Sequence, residues 1–280
     1  MKYIESQPEA LLADFVECLW VVRDERSQRE RTPQRILPDG CPEWIIHTGD
    51  AFERWIGSRW VRQPKSFLAG TLSRPWLVRG GSRVRTLGIR FRPGAAAVLL
   101  DVDLSGTADR EIDLLPILGQ AAAEMAEAVS HARTTKQMLS AAHRGLMRIA
   151  TGRLHQVPRT RDAVRRLRSS EGTTRVEVLA GSLGVSRRTL ERSFRSELGI
   201  SPKRYARIVR LNAVLASLAA EARTEAIDLA VGAGYFDQAH LLRDFRSLTG
   251  GRLRGQREAD GDMARHFTRP ERLLALLRDW

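Results

Sequence analysis

Cys18 and Cys41 are the only cysteines in the chain. Two thiols exclude a disulfide scaffold and a cysteine-only zinc site. What remains is a redox pair or two small buried apolar residues. Apolar runs of about 18 residues are absent, which excludes a membrane-spanning helix. The opening stretch MKYIESQPEALLADF is mixed in polarity and is not a secretory signal, so the expected location is the cytoplasm. Neither G-x-S-x-G nor a Walker loop occurs, and Gly80-Gly81 reads as a turn rather than a phosphate cradle. The histidines His47, His131, His143, His155, His240 and His266 are scattered. Only His131 and His143 share a helical region, and no pair has metal-ligand spacing within one motif. No metal, no cofactor and no catalytic residue is expected.

Acidic residues are also scarce: 33 Asp and Glu face 46 Lys and Arg, a net charge of +13. The sequence pI is about 11.0, which points to a polyanionic partner. The excess is uneven. Residues 153–280 hold 25 basic and 15 acidic side chains, and the rest of the chain is close to balance. At 280 residues with 42% hydrophobic residues, the chain is long enough for two or three domains with real cores.

The N-terminal part reads as β-rich. A helix is expected over Glu9–Leu19. Glu43–Thr48 and Ala51–Ile56 flank Gly49-Asp50, a hairpin signal, and Trp76–Arg79 and Arg83–Phe91 flank Gly80-Gly81-Ser82. In Arg83–Phe91 apolar residues nearly alternate with arginine, which predicts one wet sheet face. Short strands at this spacing suggest a small barrel or sandwich. After Arg92-Pro93-Gly94 the pattern turns helical at Ala95–Leu100, then at Leu114–Ala128 and Thr134–Ala150. The last two form a pair that either mediates dimerisation or covers the barrel. Thr151–Pro158 has the character of a linker, and helix is expected from Arg159 to about Leu248.

The C-terminal half contains a repeat. Val176–Gly199 reads as two short helices about Gly184, with Ser186 capping the second and Leu190 and Phe194 on its inner face. Leu229, Ala230 and Gly234 stand 50 positions after Leu179, Ala180 and Gly184. Beyond the turn the offset is 51: Leu190, Arg192, Phe194, Arg195, Ser196 and Gly199 return as Leu241, Arg243, Phe245, Arg246, Ser247 and Gly250. The second turn is one residue longer, and Asp237 takes the capping place of Ser186. A helix from Pro202 to Leu218 joins the copies and spans about 25 Å at about 1.5 Å per residue. It can hold two reading helices roughly one DNA turn apart, about 34 Å.

Residues 176–250 resemble the DNA-binding domain of the AraC/XylS family of bacterial transcription regulators. The resemblance is carried by Gly199-Ile-Ser-Pro-Lys-Arg-Tyr205, by Arg210-Leu-Asn212 and by Gly234-Tyr-Phe-Asp-Gln-Ala-His-Leu-Leu-Arg-Asp-Phe245. After Thr249-Gly250 the chain departs from the family's Ser-Pro pair and runs Gly251-Arg-Leu-Arg-Gly-Gln-Arg257. The first half resembles the N-terminal domain of a subgroup of these regulators through Leu37-Pro-Asp-Gly-Cys-Pro-Glu43, Gly70 and Gly88-Ile-Arg-Phe-Arg-Pro-Gly94. This second resemblance implies a cupin-like β-domain that senses a small molecule.

The expected fold is therefore α+β. A β-rich sensor-like domain over 1–113 precedes a helical pair and linker over 114–158. An all-α double helix-turn-helix follows over 159–258, and a tail over 259–280. Arg188 and Arg192, four apart on one helix face, are assigned to bases, because arginine makes bidentate contacts to guanine. Gln238, Ala239, Leu242 and Arg243 are the equivalent base-reading positions of the second copy: Gln238 suits adenine, and Ala239 or Leu242 a thymine methyl. Arg187, Arg195, Arg246, Lys203 and Arg204 are assigned to phosphates. Glu191 either accepts from cytosine or orients Arg188 or Arg195, and His240 is a packing residue. Asp39, Glu43, Trp44, Trp55 and Trp60 are candidate pocket residues, with Trp20 and Trp76 assigned to the core. The expected partners are double-stranded DNA, RNA polymerase if the protein activates, a small-molecule effector and a second copy in a homodimer. Two other classes compete: a DNA-targeted enzyme or repair-type protein using Cys18 and Cys41, and an architectural binder without ligand.

Overall fold

In the computed structural model, the described residues are 1–25, 32–220, 232–251 and 253. The N-terminal domain consists of two antiparallel sheets. The larger has the order β1 (Lys2–Ser6), β2 (Val16–Asp24), β9 (Val84–Phe91), β4 (Glu43–His47), β7 (Ser66–Ala69), β10 (Glu111–Ile112). The smaller has the order β3 (Gln34–Ile36), β8 (Trp76–Arg79), β5 (Glu53–Ile56), β6 (Arg59–Arg62). Along β2, Leu19 and Val21 enter one core while Cys18, Trp20 and Val22 enter another. The larger sheet is thus covered on both faces. The first core lies under helices and the second lies between the sheets.

Double coverage explains two departures from expectation. The segment expected as helix over Glu9–Leu19 is a 3-10 turn at Ala10–Leu12 followed by β2. A strand buried on both faces loses the period-2 signature and reads as a continuous apolar run. The wet face expected for Arg83–Phe91 is likewise not found: β9 is central, and Arg90 is 1% exposed. Gly88 permits this crowding, since a Cβ there would lie 2.1 Å from Trp20 Cε2.

Both expected hairpins prove to be crossings between the sheets. At Gly49-Asp50 the chain leaves β4 for β5, which pairs with β6 and β8 instead. The backbone amides of Gly49 and Asp50 donate to the carbonyls of Arg85 and Arg83 at 3.0 and 2.8 Å. Asp50 Oδ2 accepts from the Arg83 amide at 2.8 Å. At 80–82 the chain crosses from β8 to β9. The two-residue hairpin is β5–β6, turning at Gly57-Ser58 with Gly57 at φ 63°.

Helices α1 (Ala95–Leu100), α2 (Leu115–Leu118), α3 (Gln120–His131) and α4 (Thr135–Ile149) follow β9. The stretch expected as one helix over Leu114–Ala128 is broken at Gly119, whose φ is 55°. Thr134 caps α4 in a capping box with Gln137. Met125 and Val129 of α3 join Met138, Ala142 and Leu146 of α4 in the core beneath the larger sheet. The pair therefore covers the β-domain. Residues 151–158 form turns leading to the helical domain. That domain contains α5 (Arg161–Ser169), α6 (Val176–Ser182), α7 (Arg187–Leu198), α8 (Pro202–Ala220) and α9 (Gln238–Thr249). Leu229 and Ala230, the first-helix members of the second copy, lie outside the described residues, as do residues 254–280 with the expected tail.

Among the described residues, no helix is long and apolar enough to cross a membrane.

Candidate nucleic-acid interface and ligand cavity

The two outward helices are built alike. α7 and α9 each have 12 residues. Ser186 accepts from the Thr189 amide at 3.1 Å, and Asp237 accepts from the His240 amide at 2.6 Å. Gly199 and Gly250 close the helices at φ 74° and 66°, and the turn glycines Gly184 and Gly234 have φ 65° and 66°. Only a residue without Cβ takes these left-handed conformations at low cost. Inner faces correspond too: Leu190 and Phe194 are buried in the helical core, as are Leu241 and Phe245.

On the outer face of α7, Arg187, Arg188, Arg192 and Arg195 are exposed. Arg187 donates to Glu177 at 2.7 Å and to Glu191 at 2.9 Å, and Arg195 lies 3.8 Å from Glu191. Glu191 is thus tied to the flanking arginines. Arg188 and Arg192 form no ion pair among the described residues. On α9, Gln238, Ala239, Leu242, Arg243 and Arg246 are exposed. His240 packs edge-on against Tyr235, with ring centroids 5.2 Å apart. Phe236, not singled out from sequence, is 94% exposed at the turn leading into α9. Lys203 is exposed and Arg204 half-buried in the first turn of α8, which Ser201 caps through the Arg204 amide at 3.2 Å.

Other contacts were not legible as site features. Arg207 of α8 makes a two-pronged ion pair with Asp244 of α9, at 3.0 and 2.8 Å. It fixes the second outward helix to the connector. Glu197, buried at the inner end of α7, accepts from the Thr160 amide at 3.0 Å and hydroxyl at 2.7 Å. The carbonyl of Ser196 accepts from the Leu104 amide at 2.8 Å. α7 is thereby seated on the N-terminal domain as well as on its own.

Between the two sheets lies a partly open cavity. Asp39 and Glu43 line it, whereas Trp44 does not. Trp44 lies on the opposite face of β4, fully buried, and its Nε1 donates to Ser66 Oγ at 2.9 Å. Trp55 and Trp60 pack edge-on against each other on the β5–β6 hairpin, away from the cavity. The tryptophans in its wall are Trp20 and Trp76, which are buried in the core between the sheets as expected and line the cavity as well. At one end, buried Arg90 pairs with Glu43 at 2.6 Å, with Glu17 at 3.2 Å and with Asp39. His47 Nδ1 meets Thr86 Oγ1 at 2.9 Å. Desolvation lowers the His47 pKa to about 4, so the ring is neutral at pH 7.

Loop 37–42 joins this cavity to the helical domain. Leu37 and Cys41 belong to the helical core. Gly40, at φ 87°, lies so close to Tyr205 of α8 that a Cβ would stand 2.6 Å from its ring. Tyr205 Oη in turn accepts from Arg168 Nε at 3.0 Å. Cys41 Sγ donates to Glu17 at 3.4 Å. Burial, and then Glu17, push the Cys41 thiol well above its ordinary pKa. A reactive cysteine requires the reverse. Cys18 is also buried.

Residues 4–113 match the family model described as a domain of unknown function, DUF6597, and residues 179–258 match a helix-turn-helix domain model. Comparison with curated proteins gives no match. Among solved structures, ToxT from Vibrio cholerae aligns over 90% of this chain and 97% of its own, with 9% identity and a TM-score of 0.44. A ToxT structure from strain SCE256 described as bound to unsaturated fatty acid aligns over 83% and 91%, with 11% identity and a TM-score of 0.40. The AraC-like transcriptional activator CuxR aligns over 75% and 85%, with 14% identity and a TM-score of 0.27. The chain joins a DUF6597 domain to an AraC-type helix-turn-helix domain, the DNA-binding module of a transcription regulator.

Proposed function

We propose that the protein is a sequence-specific transcription regulator that sets α7 and α9 into successive major grooves of double-stranded DNA. We further propose that a small effector in the N-terminal cavity controls it. The observation that carries the reading is the duplication: two 12-residue helices with matching caps, turn glycines and buried faces on one connector. α8 has 19 residues, so its axis is about 28 Å long at about 1.5 Å per residue. That suits two helices about one DNA turn apart on a single chain.

In this reading Arg188 and Arg192 read bases, since no carboxylate among the described residues ties either one down. Arg187 and Arg195, held by Glu191, meet phosphates with Lys203, Arg204 and Arg246. Gln238, Ala239, Leu242 and Arg243 read the second groove with less charge. Arg188 and Arg192 therefore contribute more to specificity than Ala239 and Arg243. Effector control runs through loop 37–42, which touches the cavity and Tyr205 of α8 alike. An activator of this kind also meets RNA polymerase and acts on the nucleoid in the cytoplasm. A homodimer adds a second pair of readers but is not needed to fill two grooves. The domain limits 1–113, 114–158, 159–258 and 259–280 follow from this division of labour.

The test is a binding titration on DNA upstream of the protein's own gene. Arg192→Ala and Arg188→Ala should each lose about 1–3 kcal/mol of discrimination, with the fold intact because both side chains are exposed. Arg187→Ala should weaken specific and non-specific DNA alike. A footprint of Arg192→Ala indistinguishable from the parent's overturns the assignment.

A further inference from the structure

We infer that Phe236 is a base-contacting residue of the second reader. With Ala239 and Leu242 it forms an apolar row that meets the methyl groups of thymines in the major groove. The inference rests on the reading of α9 as a groove-entering helix and names the bases that this helix takes.

The turn into α9 holds an aromatic ring out in water. Gly234-Tyr235-Phe236-Asp237 is one residue longer than Gly184-Val185-Ser186. Tyr235 turns into the helical core and Asp237 caps α9, so the longer turn leaves Phe236 outside. An apolar residue just before a helix cap ordinarily packs on the fourth residue of the helix. That residue is Leu241, which is fully buried, whereas Phe236 is 94% exposed. The ring therefore does not staple the helix. Single apolar side chains are common on protein surfaces. Phe236 is not single: Ala239 and Leu242 follow it at steps of three residues, and both are exposed.

The row stands at the end of α9 that matters for reading. In a groove-entering helix the N-terminal residues reach the base edges. Ala239 and Leu242 stand 51 positions after Arg188 and Glu191, so α9 presents a methyl and an isobutyl group where α7 presents a cation and a carboxylate. Both acidic groups between Gly234 and Gly250 are engaged: Asp237 caps α9 and Asp244 pairs with Arg207. The exposed charges farther along α9 are the cations Arg243 and Arg246. An apolar row bordered by cations suits a polyanion that carries apolar groups. Against a polar base edge, a phenyl ring or a leucine would strip water and return no hydrogen bond. On the major-groove edge the thymine methyl is the group they can bury without that loss.

The experiment footprints and titrates the full chain on the DNA upstream of its gene. The protected patch that Arg192→Ala weakens less belongs to α9. Thymines in that patch are then replaced by deoxyuridine, which removes the methyl and keeps every hydrogen-bonding group. The parent should lose roughly fourfold in affinity for each contacted methyl, the value of burying one such group. The same replacement in the α7 patch should cost less. Phe236→Ala should bind thymine DNA about as weakly as the parent binds deoxyuridine DNA, and should no longer distinguish the two at the thymine that the ring meets. Phe236→Leu should keep part of the distinction. The Tm of Phe236→Ala should equal the parent's, because the ring is exposed. Its salt dependence should also be unchanged, because no phosphate contact is lost. An α9 patch without thymine, or deoxyuridine losses that are absent or equal in both patches, overturns the inference and leaves the two-groove reading standing. So does a Phe236→Ala variant that binds as the parent does; if that variant nevertheless fails to activate transcription, the ring belongs to a protein partner. Absence of a second patch overturns both readings.

Discussion

Arg90 shows how far a single side chain departs from what its neighbours in sequence suggest. In RTLGIRF it sits where an alternating strand should face water, and it is instead fully buried among Glu17, Asp39 and Glu43. Arg90→Met keeps the volume but leaves three carboxylates without their shared cation. Chemical denaturation should show a loss of about 3–5 kcal/mol, the usual result of breaking a buried ion pair from one side. His47 gives a second residue-scale prediction. Its pKa is near 6.5 in an unfolded chain and about 4 in the folded one, chiefly through burial. Between these values the unfolded state binds a proton that the folded state does not. The stability linked to His47 is therefore complete above pH 6.5 and is lost as pH falls toward 4, by about 3 kcal/mol in all. Urea titrations at pH 7 and pH 5 should show about 2 kcal/mol of this loss in the parent and a smaller one in His47→Gln.

At the scale of elements, one ion pair ties the second outward helix to the connector. Asp244 receives two hydrogen bonds from Arg207, and both residues lie between α8 and α9. Asp244→Asn should cost about 1.5–3 kcal/mol in equilibrium unfolding, the range for hydrogen bonds to charged groups. On DNA it should weaken protection of the second groove more than the first. Equal loss at both would mean that Arg207–Asp244 serves the whole domain and does not position α9 in particular. The repeat that defines these helices was legible in the sequence because caps, turn glycines and buried positions are local: Ser186 and Asp237, Gly184 and Gly234, Phe194 and Phe245. Much of the β-domain was not. Gly49-Asp50 and Gly80-Gly81-Ser82 carry turn chemistry, but the choice between a hairpin and a crossing is made by strands far away in the chain. β2 lost its alternation because both its faces are covered. Trp44 falls outside the expected pocket for a related reason: which face of a central strand meets the cavity depends on where the second sheet lies.

At the scale of the molecule, the two domains share structure and not merely a linker. Leu37 and Cys41 lie in the helical core, Gly40 abuts Tyr205, and α7 is held from the N-terminal domain by Leu104. A change at loop 37–42 therefore reaches the connector of the two readers through direct packing. The net charge of +13, concentrated after residue 152, supplies the attraction to DNA. Affinity should fall steeply with salt as phosphate contacts release counterions, measurable as a linear loss of log affinity with log salt. The central claim is that one chain reads two grooves. A hydroxyl-radical footprint of the full chain on the DNA upstream of its gene, with the bound chains counted, tests it most directly. The account predicts two protected patches per chain, about 34 Å apart on one face of the duplex. A single patch per chain would contradict it.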